Sequence, residues 1–166
     1  MARSGGGGAG SEHARFMRAA IRLSLQSVRG ARGGPFGAVV VRDGGIVGRG
    51  WNRVTATSDP TAHAEIVAIR SACRRLRSFR LDGAALYTSC EPCPMCLGAV
   101  YWAGIERIYF AAGREDAAAV GFIDDELYRE IALPPGGRRV PAEQLLRDHA
   151  VAVFAEWSSR PDKIPY

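Results

Sequence analysis

Two short segments constrain the fold of this chain more than any other feature of its sequence. The first is His63-Ala64-Glu65, and the second is Cys90-Glu91-Pro92-Cys93-Pro94-Met95-Cys96. Together they offer one imidazole, from His63, and two thiolates, from Cys93 and Cys96. This ligand set suits Zn²⁺ and leaves a fourth tetrahedral position open. We therefore expect a fold that brings the two segments together around one metal ion.

Glu65 lies two residues after the candidate histidine ligand. A carboxylate beside an open zinc position can move protons to and from the bound water, whose pKa the metal lowers toward neutrality. The pattern His-x-Glu followed by Pro-Cys-x-x-Cys is typical of zinc-dependent nucleobase deaminases. We therefore expect hydrolytic deamination, in which Glu65 carries the proton of the water to a ring nitrogen and then helps to protonate the departing ammonia.

Each part of this pattern has a simpler interpretation when it is taken alone. His63 could be a capping or core histidine, and Glu65 a first-turn carboxylate that favours the helix dipole. Cys93 and Cys96 could form a redox pair, or a structural zinc site could recruit Cys90 as a fourth ligand. The combination of one histidine, one glutamate and two cysteines favours a catalytic site with three protein ligands.

The size and composition of the chain are those of one globular domain. It has 166 residues, of which 47% are apolar, enough for a substantial core. No run of eighteen apolar residues is present, so we expect no membrane span. The glycine-rich start has no apolar signal-peptide core, which predicts a cytoplasmic protein whose four cysteines are thiols or metal ligands.

The net charge of +5 could indicate a nucleic-acid partner. Almost all of the positive charge is arginine, since Lys163 is the only lysine, and the arginines are spread along the chain. Cations near a helix C-terminus offset the negative end of the helix dipole and stay solvated, so we expect no nucleic-acid partner. The one arginine cluster falls late in a predicted helix or just after it and comprises Arg70, Arg74, Arg75, Arg77 and Arg80.

Periodicity and turn residues predict alternating helices and strands. After a disordered glycine-rich tail at residues 1–10, Ser11 is expected to cap the first helix, and Asp59 with Pro60 to start the second. The strand–helix alternation after a first hairpin implies parallel neighbours. The predicted helices cover residues 11–28, 60–76, 94–104, 117–129 and 148–158. The predicted strands cover residues 36–41, 46–51, 84–89, 107–112 and 140–146, the last of which could instead begin a helix.

The chain resembles bacterial guanine deaminases of the cytidine-deaminase-like fold over about residues 16–166. The zinc motif alone is shared with cytidine, cytosine and tRNA-adenosine deaminases. The stretch TSCEPCPMCLGA, with Trp102 and a C-terminal tyrosine, is typical of a narrower group of these enzymes. The resemblance is carried by residues 33–39, 59–65, 88–96, 116–118 and 121–122.

This resemblance implies an α/β fold with three α/β/α layers around a mixed five-stranded sheet. It implies a zinc deaminase domain over residues 11–158 and a C-terminal lid segment over residues 159–166. It also implies a homodimer in which the lid segment crosses over and covers the active site of the partner.

The resemblance further implies a purine pocket beside the metal. Asn52 is similar to the amide that hydrogen-bonds the purine, and Asp124 to the carboxylate that recognises the guanine edge, where N–H donors match its oxygens. Ile123 departs from the family, which more often has a second acid there. The other residues implied to bind substrate are Phe36 as a wall of the pocket, Ala64, Trp102 as an aromatic neighbour, and Tyr166 from the tail.

The function that these residues favour is hydrolysis of guanine to xanthine and ammonia. A guanosine or other amino-heterocycle deaminase is the alternative, and it needs room for a ribose where the tail closes. A tRNA adenosine deaminase would need a basic channel for a flipped nucleotide. A non-enzymatic zinc module would need a fourth protein ligand.

Overall fold

The computed structural model describes residues 7–31 and 33–165. The chain divides into two compact units, one ending at Asp124 and one beginning at Asp125. The expected division at residues 11–158 and 159–166 stays a prediction. Within the described ranges, no helix combines the length and the apolar character that a membrane span requires.

The first unit contains four strands and five helices within its described residues. They are α1 (Gly7–Arg29), β1 (Gly37–Arg42), β2 (Gly45–Trp51), α2 (Val54–Thr57), α3 (Ala64–Leu76), β3 (Ala85–Cys90), α4 (Pro94–Trp102), β4 (Arg107–Ala112) and α5 (Arg114–Ala118). The second unit contains two helices in its described part, α6 (Asp125–Ala132) and α7 (Arg147–Ser159), with a 3₁₀ turn at Pro135–Gly137 between them.

The centre of the first unit is a mixed sheet in the order β2-β1-β3-β4. β1 is antiparallel to both β2 and β3, and β3 is parallel to β4. Side chains alternate across a strand, so Val39 and Val41 face α1, whereas Ala38 and Val40 face α3. Helices therefore lie on both sides of the sheet, which confirms the expected α/β fold with a mixed sheet.

The expected number of five strands is wrong, because the described residues form a sheet of four strands. Residues 141–146, most of the expected last strand, have no regular secondary structure. Pro141 has no N–H to donate to a strand ladder, and Val140, Leu145 and Leu146 are 71–75% exposed. This segment has no buried apolar face that would hold it against a sheet.

Several helix boundaries also differ from the prediction. The first helix begins at Gly7 rather than at Ser11, because extending a long helix through a glycine costs only about 1 kcal/mol per residue. The expected helix over residues 117–129 is two helices, interrupted at Gly121, whose φ of 93° ends a helical path.

The helix that carries Glu65 begins at Ala64 rather than near Pro60. Asp59 does not cap it. Instead, the carboxylate of Asp59 accepts hydrogen bonds from the backbone N–H of Thr61 at 2.8 Å and from its hydroxyl at 2.7 Å, which closes a turn of the Asx type. Helix α2 was not predicted; it lies between the predicted strand over residues 46–51 and the predicted helix over residues 60–76.

Close packing of α3 on β2 fixes the position of the first turn of α3. A Cβ atom added to Gly48 would collide with the carbonyl oxygen of Ala68, and one added to Gly50 would collide with that of Ala64. Ala64 and Ala68 are themselves fully buried. Small residues on both surfaces therefore let the helix lie directly against the strand.

Candidate active site

The start of α3 and the start of α4 supply the candidate metal ligands. His63 is the N-cap residue of α3, and Cys93 is the N-cap residue of α4, with Pro94 at its first position. Neither side chain makes a capping hydrogen bond, so both are available to a ligand. Positive helix ends and unpaired N–H groups favour thiolates and anionic oxygens at this place.

His63, Cys93 and Cys96 form a group whose ligand atoms all lie within 4.8 Å of one another. The Nδ1 atom of His63 is 3.5 Å from Sγ of Cys93 and 3.6 Å from Sγ of Cys96. A tetrahedral zinc ion with ordinary Zn–N and Zn–S bonds holds such atoms about 3.6 Å apart. The spacing and the chemistry of these three groups therefore fit Zn²⁺.

The charges of the three groups also suit a cation. The thiol of Cys96 hydrogen-bonds to Cys93 and, with help from His63, lowers the pKa of Cys93 to about 4. The contact with Cys93 raises the pKa of His63, and the same contact together with burial raises the pKa of Cys96. Cys93 is thus a thiolate at neutral pH, and a zinc ion can replace the protons shared by the other two groups.

Glu65 lies in the first turn of α3 and is only 6% exposed. The hydroxyl of Thr88, on β3, donates to its Oε1 atom at 3.4 Å. Burial is the main cause that raises the pKa of Glu65 above its usual range, and the nearby Cys93 adds to it. A carboxyl group with a raised pKa accepts and returns a proton more readily near neutral pH.

Cys90 lies near this group but is not part of it within the described residues. Its thiol donates to the carbonyl oxygen of Gly113 at 3.7 Å. Burial, with a contribution from Glu65, raises the pKa of Cys90 to about 11. A neutral thiol held by a backbone carbonyl is a poor fourth zinc ligand, which favours the three-ligand alternative over a structural site.

A cavity of about 260 Å³ opens beside His63, Glu65 and Cys93. Three residues expected to bind substrate also line it, namely Phe36, Asn52 and Asp124. The other residues expected to bind substrate, Ala64, Trp102 and Tyr166, stay predictions. Within the described residues, Ala64 is fully buried and Trp102 is 68% exposed, and neither lines the cavity, whereas Tyr166 lies outside the described residues.

The hydrogen bonds of Asn52 determine which end of its amide faces the cavity. Its Oδ1 atom accepts from the backbone N–H of Gly34 at 3.3 Å and from that of Val54 at 3.2 Å. Because both partners are backbone donors, the atom that meets them must be the oxygen. The amide NH₂ group is therefore left to donate into the cavity.

Phe122 is a cavity residue that the site prediction omitted. Its ring meets the ring of Phe36 edge to face, with centroids 4.8 Å apart and planes at 84°. This geometry is favourable for aromatic pairs, and it forms an apolar corner for a planar ligand. Residues 121–122 were among the segments that carry the family resemblance, but the resemblance assigned no function to Phe122.

Glu91 was also missed as a cavity residue. Its carboxylate accepts from the backbone N–H of Arg114 at 3.3 Å and pairs with the Nε atom of that arginine at 3.3 Å. The backbone N–H of Glu91 donates to the carbonyl oxygen of Ala112 at 2.9 Å. These bonds tie the segment before Cys93 to the start of α5, and α5 leads on toward Phe122.

Comparisons with known proteins agree with this geometry. A family model for the cytidine and deoxycytidylate deaminase zinc-binding region matches residues 10–112. The chain is 46% identical over 154 residues to guanine deaminase of Bacillus subtilis (strain 168), covering 93% of this chain and 99% of that one. An X-ray structure of guanine deaminase from Bacillus subtilis matches with a TM-score of 0.90 at 46% identity, covering 93% of this chain and 98% of the other.

Two further relatives show the range of the similarity. A guanine deaminase structure from Nitrosomonas europaea matches at 36% identity with a TM-score of 0.63, covering 85% of this chain and 81% of that one. The tRNA-specific adenosine deaminase of Haemophilus influenzae is 44% identical over 96 residues, covering 55% of this chain and 56% of that one.

The chain therefore belongs to the cytidine and deoxycytidylate deaminase family of zinc-binding enzymes. These enzymes are hydrolases that cleave a C–N bond and release an amino group.

The three-ligand arrangement predicts how zinc content responds to loss of single thiols. Cys93→Ser should lose most of the bound zinc, because it removes one of three ligands at the metal. Cys90→Ser should retain one zinc per chain, because its thiol is held by Gly113. Metal analysis of both purified variants by mass spectrometry measures this directly. Equal loss of zinc in the two variants would contradict a three-ligand site.

Proposed function

We propose that this protein is a guanine deaminase, which hydrolyses guanine to xanthine and ammonia. The observation that carries the proposal is the 46% identity to the Bacillus subtilis guanine deaminase over nearly the full length of both chains. The chemistry of the site also supports it, because the buried carboxylate of Glu65 lies beside the group formed by His63, Cys93 and Cys96.

His63, Cys93 and Cys96 hold the zinc ion in this proposal. Zinc, when bound, lowers the pKa of a water molecule and so supplies a nucleophile at neutral pH. Glu65 would accept a proton from the attacking water and deliver it to N3 of guanine, the ring nitrogen beside C2 that carries no hydrogen. As the water oxygen bonds to C2, that carbon becomes tetrahedral. Glu65 then takes the proton of the new hydroxyl group on C2 and passes it to the amino nitrogen, so that the C–N bond breaks, ammonia leaves, and the oxygen stays on C2 as the carbonyl of xanthine.

The cavity residues orient the base in this proposal. The NH₂ group of Asn52 donates to an acceptor atom of the purine, since its carbonyl oxygen is already occupied. The carboxylate of Asp124 accepts from N–H groups on the guanine edge. The edge-to-face pair of Phe36 and Phe122 contacts the flat surface of the base. A ligand without matching N–H groups leaves Asp124 unsatisfied, which costs affinity.

The size of the cavity supports a free base as substrate. Its volume of about 260 Å³ lies just below the range of about 300–1,000 Å³ that is usual for sites of drug-sized ligands. The similarity to a tRNA-specific adenosine deaminase covers 55% of this chain, so that activity is the less favoured one. The cytoplasm remains the proposed location, because thiol ligands persist in a reducing compartment.

The proposal predicts the products of a simple substrate panel. Zinc-loaded protein should release ammonia fastest from guanine, compared with guanosine, adenine, cytosine and tRNA. Glu65→Gln should retain zinc and lose about 10²–10⁴-fold in turnover number, the usual contribution of a positioned acid–base group. An enzyme-coupled ammonia assay and chromatography of the products measure both effects.

The exposed Glu115→Gln on α5 serves as the control variant and should keep full activity. Faster turnover of guanosine than of guanine would overturn the choice of substrate. Full activity of a zinc-loaded Glu65→Gln variant would overturn the role given to Glu65.

We also propose that the protein forms a homodimer in which residues 159–166 cover the active site of the partner. Apolar side chains of the second unit support a partner copy. On α7, Val153 and Phe154 are 61% and 68% exposed, and Leu145 and Leu146 before it are 73% and 75% exposed. Large exposed apolar surfaces of this kind mark protein contacts. Tyr166 remains the proposed lid residue, and Ala64 and Trp102 remain proposed substrate contacts.

The exchange of tails predicts complementation between two inactive chains. One chain carries Glu65→Gln and keeps its tail, and the other has an intact site but ends after Ser158. In the heterodimer, the tail of the first chain covers the intact site of the second, so activity returns. Co-expression with two different affinity tags, followed by an ammonia assay of the doubly purified heterodimer, measures this.

Two outcomes would contradict the exchange. A heterodimer as inactive as both parent proteins would mean that each tail covers the site of its own chain. A truncated homodimer with full activity would mean that the tail is not a lid at all.

A further inference from the structure

A second concavity of about 170 Å³ lies within the first unit and is lined by three arginines. Arg53 follows Asn52 in the chain, and Arg70 and Arg74 lie one turn apart on α3. Thr57, at the end of α2, and Asp59 complete the polar part of the lining. This arginine pocket shares no lining residue with the cavity beside Glu65, so it is a separate site.

The charges in the arginine pocket do not balance. Asp59 is the single carboxylate among its lining residues, and its Oδ2 atom lies 3.7 Å from Nη1 of Arg70. Hydrogen bonds from Thr61, followed by the charge of Arg70, keep the pKa of Asp59 below its usual range, so it counts as one full negative charge at neutral pH. Three guanidinium groups against one carboxylate leave a net charge of about +2.

Two of the arginines have no carboxylate partner in the described part of the chain. Arg74 makes no ion pair there, and Arg53 has only the ring of Trp51, whose centroid is 6.0 Å from its guanidinium carbon. Unpaired like charges around one concavity repel one another. An anion placed between them would reduce that repulsion.

We propose that the arginine pocket binds a phosphate group. A phosphomonoester carries a charge of about −1.5 to −2 at neutral pH, which matches the surplus on Arg53, Arg70 and Arg74. Guanidinium groups bind phosphate through paired, charge-assisted N–H···O bonds. The phosphate can come from inorganic phosphate or from a nucleoside monophosphate, and the two sources share this chemistry.

The position of the pocket places a bound phosphate between two elements that also build the catalytic cavity. Arg53 belongs to the segment that positions Asn52, and Arg74 lies on the same helix as Glu65. Bound phosphate therefore crosslinks this segment to α3 without entering the cavity itself. A ligand that binds only the folded protein raises its unfolding temperature, so binding has a readout that does not involve deamination.

The test is titration of the full-length protein with inorganic phosphate by calorimetry, with ionic strength held constant by sodium chloride. Arg74→Gln and Arg53→Gln should each raise the dissociation constant for phosphate about tenfold or more, because each removes a hydrogen bond between charged groups. Arg75→Gln is the matched control. It removes the same charge from the next position of α3, is exposed, and does not line the pocket, so binding should stay as in the unaltered protein.

A second arm identifies the source of the phosphate. Guanosine 5′-monophosphate should lose affinity in Arg74→Gln and Arg53→Gln, whereas guanosine should not respond to either change. Tighter binding of the nucleotide than of inorganic phosphate identifies a nucleotide site, and equal binding identifies an inorganic phosphate site. Unchanged unfolding temperatures in the absence of phosphate confirm that the exposed substitutions leave the fold intact.

Three results would overturn the proposal. Phosphate could fail to bind beyond what chloride achieves at the same ionic strength. Arg75→Gln could weaken binding as much as Arg74→Gln, which would indicate diffuse attraction to the whole arginine cluster. Finally, a single-stranded RNA oligonucleotide could bind far more tightly than phosphate and depend equally on Arg75, which would indicate an extended nucleic-acid surface.

Discussion

The contact between the imidazole of His63 and the two thiol groups of α4 is the interaction on which the site depends. It requires two helices, separated in sequence by a whole strand, to begin at the same point. The close approach of α3 to β2, which Gly48 and Gly50 permit, fixes where α3 begins. The end of β3 at Cys90 and the proline at the start of α4 fix where α4 begins. A bulkier residue in β2 would move His63 without touching any group at the metal.

Burial then separates the roles of the acidic and sulfur groups around this contact. Cys93 is a thiolate because Cys96 and His63 hydrogen-bond to it. Glu65 is more easily protonated because it lies in the interior beside that negative charge. Cys90 stays a neutral thiol because it is buried and donates to a carbonyl group. In the proposed mechanism, these differences leave one carboxylate to move protons while two sulfurs hold the metal.

Much of the site could be predicted from the sequence, because its chemistry depends on a few residue types at short, fixed spacings. The histidine, glutamate and cysteine pattern indicated both the metal and the helix starts, and valine-rich runs located the strands. The break between α5 and α6 could not be predicted, because it depends on the positive φ of Gly121 and on the packing of Phe122 against distant Phe36. The same holds for the charge state of Cys90, because its raised pKa comes mainly from burial and from Glu65, which lies far from it in the sequence.

X-ray absorption at the zinc edge of the purified protein measures directly which atoms surround the metal. We expect two sulfur neighbours at about 2.3 Å and two nitrogen or oxygen neighbours at about 2.0–2.1 Å, the latter being His63 and one solvent oxygen. A shell of three sulfurs and one nitrogen would contradict this expectation. Cys90 would then close the fourth position, and no water could be activated beside Glu65.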